Sequence, residues 1–367
     1  MDSSRYDVVV IGAGLSGLIA ASAVASENLR VALIATGPGS FVLGSGCLET
    51  QEIVRLGGSP DLNEAIEFFC ERSRLAGNPF EGDIASSRPL PAILGDFKSV
   101  ALAPRLLWNA EPRADLSAVV VGIRGLSDFD ENFMAERLRE RTRAMGLACR
   151  YAARQISLAS DCGAPATTLR IAKRFDCDPE FRSELIDALR RAASGFERIL
   201  VPSMLGLLSS EPEILQFERE LGCSLGELPT LPPSIPGLRL FHHLWSYLQR
   251  IGVEMFQGFP VQKLEIHDGL CTGVHVASPG HPLILRGESV VLATGRHAAT
   301  LLDRSCPGLD TQMRPLDAGG SAVARNLFAA GSLLNNGAGS RGGATEILTG
   351  YRAAKLAAAG RGSYAAR

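Results

Sequence analysis

The stretch Asp7–Gly17, with the sequence DVVVIGAGLSG, decides the fold. Its first five residues are mostly β-branched, which predicts a buried parallel strand. The next six match the pattern G-x-G-x-x-G, whose glycines permit a tight turn, a close approach of a phosphate and close packing of a helix on the strand. We therefore predict a nucleotide-binding turn made of Gly12, Ala13, Gly14, Leu15, Ser16 and Gly17.

The residues after this turn supply the rest of a βαβ unit. Apolar residues at helical spacing between Leu15 and Ser26 predict a helix, and Leu29–Ala35 predicts a second strand. The N-terminus of such a helix presents free N–H groups and a partial positive charge, which attract a phosphate. A sharp glycine turn in some other α/β protein is the alternative, and the complete βαβ context favours nucleotide binding.

The end of the second strand lacks a residue that this motif usually has. An Asp or Glu at that point holds the ribose hydroxyls of an adenosine. This chain has Ile34–Gly37, with the sequence IATG, instead. The difference predicts weaker or different binding of the ADP group of FAD or NAD. It is also compatible with FMN, which has no adenosine ribose.

Composition sets the broad class of protein. The length of 367 residues suits two domains, and the formal net charge of −2 gives no reason to expect a nucleic acid as a partner. The eight cysteines include no C-x-x-C pair. We therefore predict reduced thiols and no metal or iron–sulfur site in this chain.

Two N-terminal features bear on the location of the protein. Val8–Ser26 carries no formal charge and is long enough to span a bilayer, but its glycines favour a strand followed by a helix. Met1–Arg5 lacks the basic and apolar parts of a signal peptide. Both observations predict a cytoplasmic protein.

A second segment supports a flavin as the nucleotide. Ser289–Gly295, with the sequence SVVLATG, predicts a short apolar strand that ends in Thr-Gly. It resembles the strand that returns to the nucleotide domain in flavoproteins of the glutathione-reductase-like architecture and turns near the cofactor phosphates. Any buried strand with a glycine turn is the alternative. The resemblance implies that Thr294 and Gly295 contact the cofactor.

A third segment lies near the C-terminus. Asn326–Ser332 predicts a buried strand, Gly337–Gly343 is rich in glycine, and Ala344–Ala359 predicts a helix with an apolar face. In flavoproteins of this class the corresponding helix points at the isoalloxazine ring, and its positive end favours the reduced flavin. A surface loop is the alternative. The segment adds three predicted cofactor contacts, Gly331, Gly342 and Gly343.

The middle of the chain predicts an inserted domain. Val119–Ile123 predicts a strand, and helical patterns occupy Pro60–Ala76, Asp130–Met145, Asp178–Ala193 and Leu238–Ile251. We predict an α/β protein with a Rossmann-type FAD/NAD(P)-binding domain and its parallel sheet in residues 1–79 and 238–367. A second, α+β domain is predicted in residues 80–237, as a cap that binds substrate or a partner.

Four segments, in order along the chain, resemble one family. Phe41–Glu49 (FVLGSGCLE), Val120–Phe129 (VVGIRGLSDF) and Leu200–Leu207 (LVPSMLGL) are similar to segments of the B-subunit of anaerobic glycerol-3-phosphate dehydrogenase. Leu228–Leu240 (LPTLPPSIPGLRL) is very similar to the family's L-P-T-x-P-P-S-V-P-G-I-R-L. Prolines at these spacings impose an extended path, which explains the shape of the last segment. Its specificity for the family rests on the resemblance.

The resemblance implies a function within a complex. Members of this family oxidise sn-glycerol 3-phosphate to dihydroxyacetone phosphate and pass electrons toward quinone. Their B-subunit is associated with FMN, and FAD is the alternative here. A catalytic flavoprotein subunit and an iron–sulfur subunit complete the complex, and the iron–sulfur subunit holds it on the inner face of the cell membrane. The resemblance also implies a cofactor contact at Gly44, Ser45 and Gly46.

The expected reaction suggests catalytic residues. Removal of a hydride from a secondary alcohol requires a base near the hydroxyl and a cationic site for the phosphate. His297, just after the predicted flavin turn, is the preferred base, and His242 and His243 are candidates that structural roles explain more simply. Arg296 and Arg341 lie in or beside glycine turns and are predicted to bind phosphate or to stabilise reduced flavin, with solvent-facing arginines as the alternative.

Two other functions stay open. The chain could be a flavin-bearing electron-transfer or scaffold subunit, with the alcohol oxidised entirely in the companion flavoprotein. It could also be a different FAD-dependent oxidoreductase that uses the same fold.

Overall fold

The glycine turn predicted from the sequence joins a buried strand to a buried helix in the computed structural model of the chain. The structure describes residues 5–158, 166–278, 283–295, 298–302, 308–331 and 343–360. The chain divides into two compact units. The first contains Met1–Phe41, Arg55–Arg72 and Leu244–Arg367, and the second contains Val42–Val54 and Ser73–His243.

The strands are numbered along the chain. They are β1 (Arg5–Ala13), β2 (Val31–Pro38), β3 (Leu48–Glu49), β4 (Phe80–Gly82), β5 (Arg88–Pro91), β6 (Phe97–Pro104), β7 (Ser117–Ile123), β8 (Arg150–Ile156), β9 (Arg198–Pro202), β10 (Ser224–Leu228), β11 (Glu254–Gln257), β12 (Val261–His267), β13 (Leu270–Val276), β14 (Leu283–Leu292) and β15 (Leu327–Ala329).

The helices are numbered in the same way, and a 3-10 turn covers Ser40–Leu43. They are α1 (Leu15–Ser26), α2 (Thr50–Leu56), α3 (Leu62–Ala76), α4 (Arg105–Trp108), α5 (Glu131–Ala144), α6 (Thr168–Cys177), α7 (Pro179–Ala193), α8 (Glu211–Leu221), α9 (Ile235–Arg250), α10 (Ala298–Leu301) and α11 (Ala344–Ala359). In the described ranges, no helix is both long and apolar enough to cross a bilayer.

The first unit is built on a largely parallel sheet. In the described part of the chain, β11, β2, β1, β14 and β15 lie side by side and run parallel. The hairpin of β12 and β13 continues the sheet from the start of β14 by antiparallel pairing. In the centre, Val9 pairs with Ala32 of β2 and with Val290 of β14. This order confirms the predicted Rossmann-type α/β fold.

Burial explains why the central elements are uninterrupted apolar runs. Val8–Ile11 of β1 are at most 2% exposed, as expected for a parallel strand covered on both faces. Every residue of α1 from Leu15 to Val24 is buried, because α1 lies between the sheet and α11. The run that could imitate a membrane span is therefore a core strand followed by a core helix.

The second unit contains its own parallel sheet. β10, β9, β7 and β8 lie in that order, and each neighbouring pair is parallel. Helices α5, α6, α7 and α8 connect these strands along the chain. Alternate residues of β7 point into two separate cores, with Val119 and Val121 on one side and Val120 on the other. A sheet covered on both faces in this way is typical of a doubly wound α/β unit.

A small antiparallel sheet stands beside the parallel sheet of the second unit. Strand β6 pairs with β3, β4 and β5 in antiparallel fashion. The segment 80–237, predicted as an inserted domain, lies within this unit, which also takes in Val42–Val54 and residues 73–79 and 238–243. The chain therefore passes between the units at four points.

Candidate functional site

The turn Gly12–Gly17 packs directly against the carboxyl end of β14. A Cβ atom on Gly12 would overlap the carbonyl oxygen of Ala293, and a Cβ on Gly17 would overlap the carbonyl of Gly12 and lie 3.3 Å from the Ala293 Cβ. Gly12 also has a φ of +107°, which few residues other than glycine adopt. Close packing thus brings the first and second predicted cofactor segments together.

The N-terminus of α1 is suited to an anion. Gly14 is the N-cap residue and supplies no side chain to cap the helix, and the first turn contains no acidic residue. The first helical hydrogen bond runs from the Leu18 N–H to the Gly14 carbonyl, at 3.0 Å, so the preceding N–H groups belong to the unpaired first turn. A Cβ on Gly14 would make only an ordinary contact, at 3.8 Å from the Cα of Gly39. These features fit the phosphate of a nucleotide.

The hydroxyl of Thr294 supports the same conclusion. It follows β14 by two residues, next to Ala293, which touches the turn. Its Oγ1 atom is buried and has no hydrogen-bond partner among the residues that the structure describes. A buried hydroxyl without a partner is uncommon, because its desolvation is not compensated. A phosphate or hydroxyl oxygen of a ligand would satisfy it.

The third predicted segment reaches the turn through Gly331. This residue has a φ of +81°, and a Cβ on it would lie 2.6 Å from the Oγ of Ser16. Its N–H donates a hydrogen bond to Thr349 Oγ1 at 2.9 Å. Gly343 is the N-cap of α11, with a φ of +86° and no capping side chain. The glycine turn, the end of β14 and Gly331, two residues after β15, therefore meet in the first unit.

Four other predicted site residues lie outside the described residues. They are Arg296, His297, Arg341 and Gly342. Of the predicted nucleotide contacts in the first unit, Gly12–Gly17, Thr294, Gly295, Gly331 and Gly343 are described.

The end of β2 approaches the glycine turn more closely than the sequence predicts. β2 continues to Pro38, which pairs with Ala13 after a register shift in β1. A Cβ on Gly39 would overlap the Cα of Gly14, so the two backbones are in contact. No carboxylate is present from Ile34 to Gly39, so this end of β2 supplies no acid to hold the hydroxyls of an adenosine ribose.

Gly44, Ser45 and Gly46 lie in the second unit, where they pack on the start of α9. Gly46 has a φ of +74°, and a Cβ on it would lie 3.0 Å from the Gly237 nitrogen. The Ser234 N–H donates to the carbonyl of Val42 at 2.6 Å, which holds the loop in place.

A small cavity adjoins this loop within the second unit. It encloses about 200 Å³, including its opening to solvent, and its lining residues are Ser45, Cys47, Leu90, Pro91, Lys98, Leu107, Glu227 and Pro229. The charge of Lys98 is already paired, because its Nζ lies 3.2 Å from Glu49 Oε1. Burial raises the pKa of the Cys47 thiol, which therefore stays protonated and unreactive.

The two adjacent histidines lie on α9 in the second unit. His243 Nδ1 is 2.9 Å from the carbonyl oxygen of Ala76, and its Nε2 has no hydrogen-bond partner within the described residues. Burial lowers the pKa of both His242 and His243. A neutral ring that donates from Nδ1 leaves the Nε2 lone pair as an acceptor, and the lowered pKa of His243 keeps that ring neutral.

Thiols and carboxylates form no metal centre in the described part of the chain. Within it, no group of three or more His, Cys, Asp or Glu side chains is arranged to hold a metal ion. Burial raises the pKa of Cys271 to about 12, so this thiol is protonated at neutral pH.

The comparisons with known proteins agree with this geometry. Residues 7–52 match the model of a family described as an FAD binding domain. The B-subunit of anaerobic glycerol-3-phosphate dehydrogenase from Pectobacterium carotovorum subsp. carotovorum is 28% identical over 79% of this chain and 75% of its own length. The probable B-subunit of anaerobic glycerol-3-phosphate dehydrogenase from Halobacterium salinarum is 24% identical over 96% of this chain and 97% of its own. Among solved structures, THI4 from Thermovibrio ammonificans aligns at 12% identity with a TM-score of 0.42, over 96% of this chain and 89% of that one.

The parallel sheet, the glycine turn before α1 and the FAD-binding family match define a flavin-binding oxidoreductase of the Rossmann type. Its cofactor is a flavin, as the sequence predicts. Within that class, the chain resembles the B-subunit of anaerobic glycerol-3-phosphate dehydrogenase along most of its length. The family resemblance predicted from the four sequence segments is thereby confirmed.

Sequence reasoning missed two glycines that permit these contacts. Gly39 allows the close approach to Gly14, and a Cβ on Gly350 of α11 would overlap the carbonyl oxygen of Ser16. The sequence did contain a signal for Gly350, because it is a glycine within an Ala-rich helix. Glycine destabilises a helix at such a position, and its presence there indicates that another backbone comes close.

Proposed function

We propose that the first unit holds the flavin with its phosphate at the N-terminus of α1. The observation that carries this proposal is the meeting of Gly12–Gly17, Thr294 and Gly331 around an uncapped helix end. In the proposed site, the first-turn N–H groups of α1 and the Thr294 hydroxyl bind the phosphate. Gly295, Gly342 and Gly343 would complete the contacts, and the family resemblance adds Gly44, Ser45 and Gly46 as proposed cofactor contacts.

We further propose that the chain takes part in the oxidation of sn-glycerol 3-phosphate to dihydroxyacetone phosphate, with electrons passing on to quinone. The names of its relatives support this proposal. Bound flavin supplies an acceptor for the hydride of the alcohol carbon. The chain would supply a base for the hydroxyl proton, with His297 preferred, and the cations Arg296 and Arg341 for the substrate phosphate.

Three observations bear on which flavin is bound. The missing carboxylate at the end of β2 and the contact between Gly39 and Gly14 support FMN, which has no adenosine ribose to hold. The match of residues 7–52 to an FAD binding domain supports FAD. Mass spectrometry of the flavin released from the purified protein decides between them, because the two differ by an AMP group.

The partners are part of the proposal. The relatives are named as the B-subunit of a dehydrogenase, which implies other subunits. We propose a catalytic flavoprotein subunit and an iron–sulfur subunit as partners, with the iron–sulfur subunit holding the complex on the inner face of the cell membrane.

A reconstitution experiment tests the catalytic part of this proposal. The purified chain is loaded with flavin and mixed with glycerol 3-phosphate in the absence of oxygen. Loss of the oxidised flavin absorbance is the expected result. If the flavin stays oxidised until the partner flavoprotein is added, the chain is an electron-transfer component instead. Faster bleaching by another alcohol or an amine would assign it to a different FAD-dependent reaction.

A further inference from the structure

We propose that Thr349 is a positioning residue of the flavin site, because its hydroxyl fixes the backbone at Gly331 beside the first turn of α1. This inference rests on the proposed placement of the flavin phosphate at that turn. The hydroxyl binds the Gly331 amide, so its effect on the turn is transmitted through Gly331.

The hydroxyl of Thr349 both accepts and donates hydrogen bonds. Its Oγ1 accepts the Gly331 N–H at 2.9 Å and donates to the carbonyl oxygen of Thr345 at 2.6 Å. Thr349 is only 7% exposed, so water cannot easily replace either partner. The bond to Thr345 sets the direction of the hydroxyl, and the remaining lone pairs face the Gly331 amide.

The residue next to Thr349 fixes the position of the helix. A Cβ on Gly350 would overlap the carbonyl oxygen of Ser16, so α11 lies against the first turn of α1 at this point. A Cβ on Gly331 would in turn lie 2.6 Å from the Oγ of Ser16. Thr349 therefore connects α11 to Gly331, and Gly350 brings α11 against Ser16. Gly331 is held between α11 and Ser16.

Removal of the hydroxyl would release this arrangement. The Gly331 N–H would then be buried without a partner, which is costly enough for the backbone to move instead. Movement at Gly331 would disturb its contact with Ser16 at the helix end proposed to bind the phosphate. We expect the dissociation constant of the flavin to rise about tenfold in Thr349→Val, the size of effect that the loss of one such bond gives.

The chain contains a closely matched control in Thr142 of α5, in the second unit. Thr142 is 1% exposed, and its Oγ1 donates to the carbonyl oxygen of Leu138 at 2.7 Å, four residues earlier, just as Thr349 does to Thr345. The difference is that Thr349 also accepts a bond from a loop amide. Thr142→Val therefore has the same helical and packing cost without the proposed positioning effect.

The experiment measures flavin affinity and local hydrogen exchange in Thr349→Val, Thr349→Ser and Thr142→Val. We expect faster amide exchange around Gly331 and weaker flavin binding only in Thr349→Val, because serine keeps the hydroxyl. Equal flavin affinity in Thr349→Val and Thr142→Val would overturn the proposal, and so would a serine variant that behaves like the valine variant. Should the valine variant not fold, Thr349→Ala is compared with Thr349→Ser in the same assays.

The two proposals fail separately in this design. If the wild-type chain retains no flavin on mass spectrometry, the proposed function is wrong. The exchange rates around Gly331 still decide the positioning inference, since unchanged exchange in Thr349→Val would show that the hydroxyl does not fix this backbone. If wild type binds flavin but Thr349→Val and Thr142→Val bind it with equal affinity, the positioning inference alone is wrong.

Discussion

Gly14 and Gly17 belong to one motif, but the structure requires them to be glycine for different reasons. A Cβ on Gly17 would overlap the carbonyl oxygen of Gly12, so the helix could not pack on the strand. A Cβ on Gly14 would meet only the Gly39 Cα at 3.8 Å, and its φ of −67° is open to any residue. The fold therefore tolerates alanine at position 14, and the absence of a side chain there serves the proposed ligand.

This difference separates folding from binding in a pair of variants. We expect Gly14→Ala to fold with a change of about 0.5 kcal/mol or less, as for substitutions without a steric cost, and to lose the yellow flavin colour. Gly17→Ala should lose both the colour and the cooperative unfolding transition of the first unit. Thermal unfolding and the absorbance spectrum of the purified variants are the measurements. A yellow Gly14→Val protein with normal flavin content would refute the proposed phosphate contact.

At the residue scale the sequence predicted the contacts that follow from a short motif, and missed those made over long distances. The G-x-G-x-x-G pattern and the Ala-Thr-Gly turn sufficed to predict Gly12–Gly17 and Thr294 as neighbours. The contact of Gly39 with Gly14 depends on how far β2 continues, and strand ends leave little trace in the sequence. The approach of Gly350 to Ser16 depends on the packing of α11 on α1.

At the scale of single elements, the first turn of α8 contains two carboxylates whose pKa values are shifted in opposite directions. Glu213 forms a capping box with Ser210, whose N–H donates to Glu213 Oε2 at 2.7 Å. That backbone hydrogen bond is the main cause that lowers the Glu213 pKa. Two residues earlier, burial raises the pKa of Glu211 in spite of the nearby Arg105.

The two shifts predict opposite pH dependences of stability. A lowered pKa in the folded state means that Glu213 stabilises the protein above its unfolded pKa, and this contribution is lost as the pH falls through its folded pKa. A raised pKa means that Glu211 contributes most below its unfolded pKa and loses that contribution as the pH rises through its folded pKa.

Thermal unfolding of Glu213→Gln and Glu211→Gln across the acidic range tests both signs in one helix turn. The difference in melting temperature between wild type and Glu213→Gln should grow as the pH rises from the lowered pKa of Glu213 to the ordinary glutamate pKa, and should then level off. The Glu211→Gln variant should gain in melting temperature relative to wild type as the pH rises from the ordinary glutamate pKa through the raised pKa of Glu211. Parallel curves for the two variants would contradict the assignment of the capping box.

A buried ion pair connects the end of β10, the loop after β9 and α9. Arg239 and Glu227 are 3% and 0% exposed, and Arg239 Nη1 lies 2.9 Å from Glu227 Oε2. Glu227 Oε1 also accepts the N–H groups of Met204 and Leu205, and Arg239 donates to the carbonyl oxygen of Gly206. Removal of one charge would leave the other buried without compensation.

We expect Arg239→Met to lower the free energy of unfolding by about 3–5 kcal/mol, the usual cost of breaking a buried pair. The double variant Glu227→Gln/Arg239→Met removes both charges but keeps an acceptor for the two loop amides. It should therefore be more stable than Arg239→Met alone. Urea unfolding of the three proteins gives both numbers, and a double variant less stable than the single one would show that the charge of Glu227 is satisfied by other groups.

The predicted helices and strands agree closely with the observed ones where one face is apolar. The pattern over Ala344–Ala359 predicts α11 with its observed bounds, and Leu238–Ile251 predicts most of α9, which runs from Ile235 to Arg250. The parallel pairing of β9 with β7 and of β10 with β9 was not predicted, because local periodicity can indicate a strand but does not reveal which strands pair. The sequence therefore predicted an inserted domain in the middle of the chain without its parallel sheet.

For the whole molecule, the main feature is that the first unit needs both ends of the chain. β1 lies between β2, which is close in sequence, and β14, which is almost the whole chain away. Arg5 pairs with Arg286 and Ile11 with Leu292, so the central strand pairs of this sheet cannot form until β14 is present. The strands of the second unit's parallel sheet, in contrast, all lie between Ser117 and Leu228.

This topology predicts the behaviour of a chain divided after Gly252, in the turn between α9 and β11. In the fragment 1–252, β1 lacks β14 beside it and α1 lacks α11, whereas the second unit has all of its strands. We expect amide hydrogens of β7, β9 and β10 to stay protected in the fragment and those of β1 and β2 to exchange freely, since opening follows local packing. Coexpression with the fragment 253–367 is the matched control and should restore protection of β1 and β2 together with flavin binding. Full protection of β1 in the isolated fragment would show that β14 is not needed to stabilise the nucleotide-binding turn, against the sheet order on which the proposed site depends.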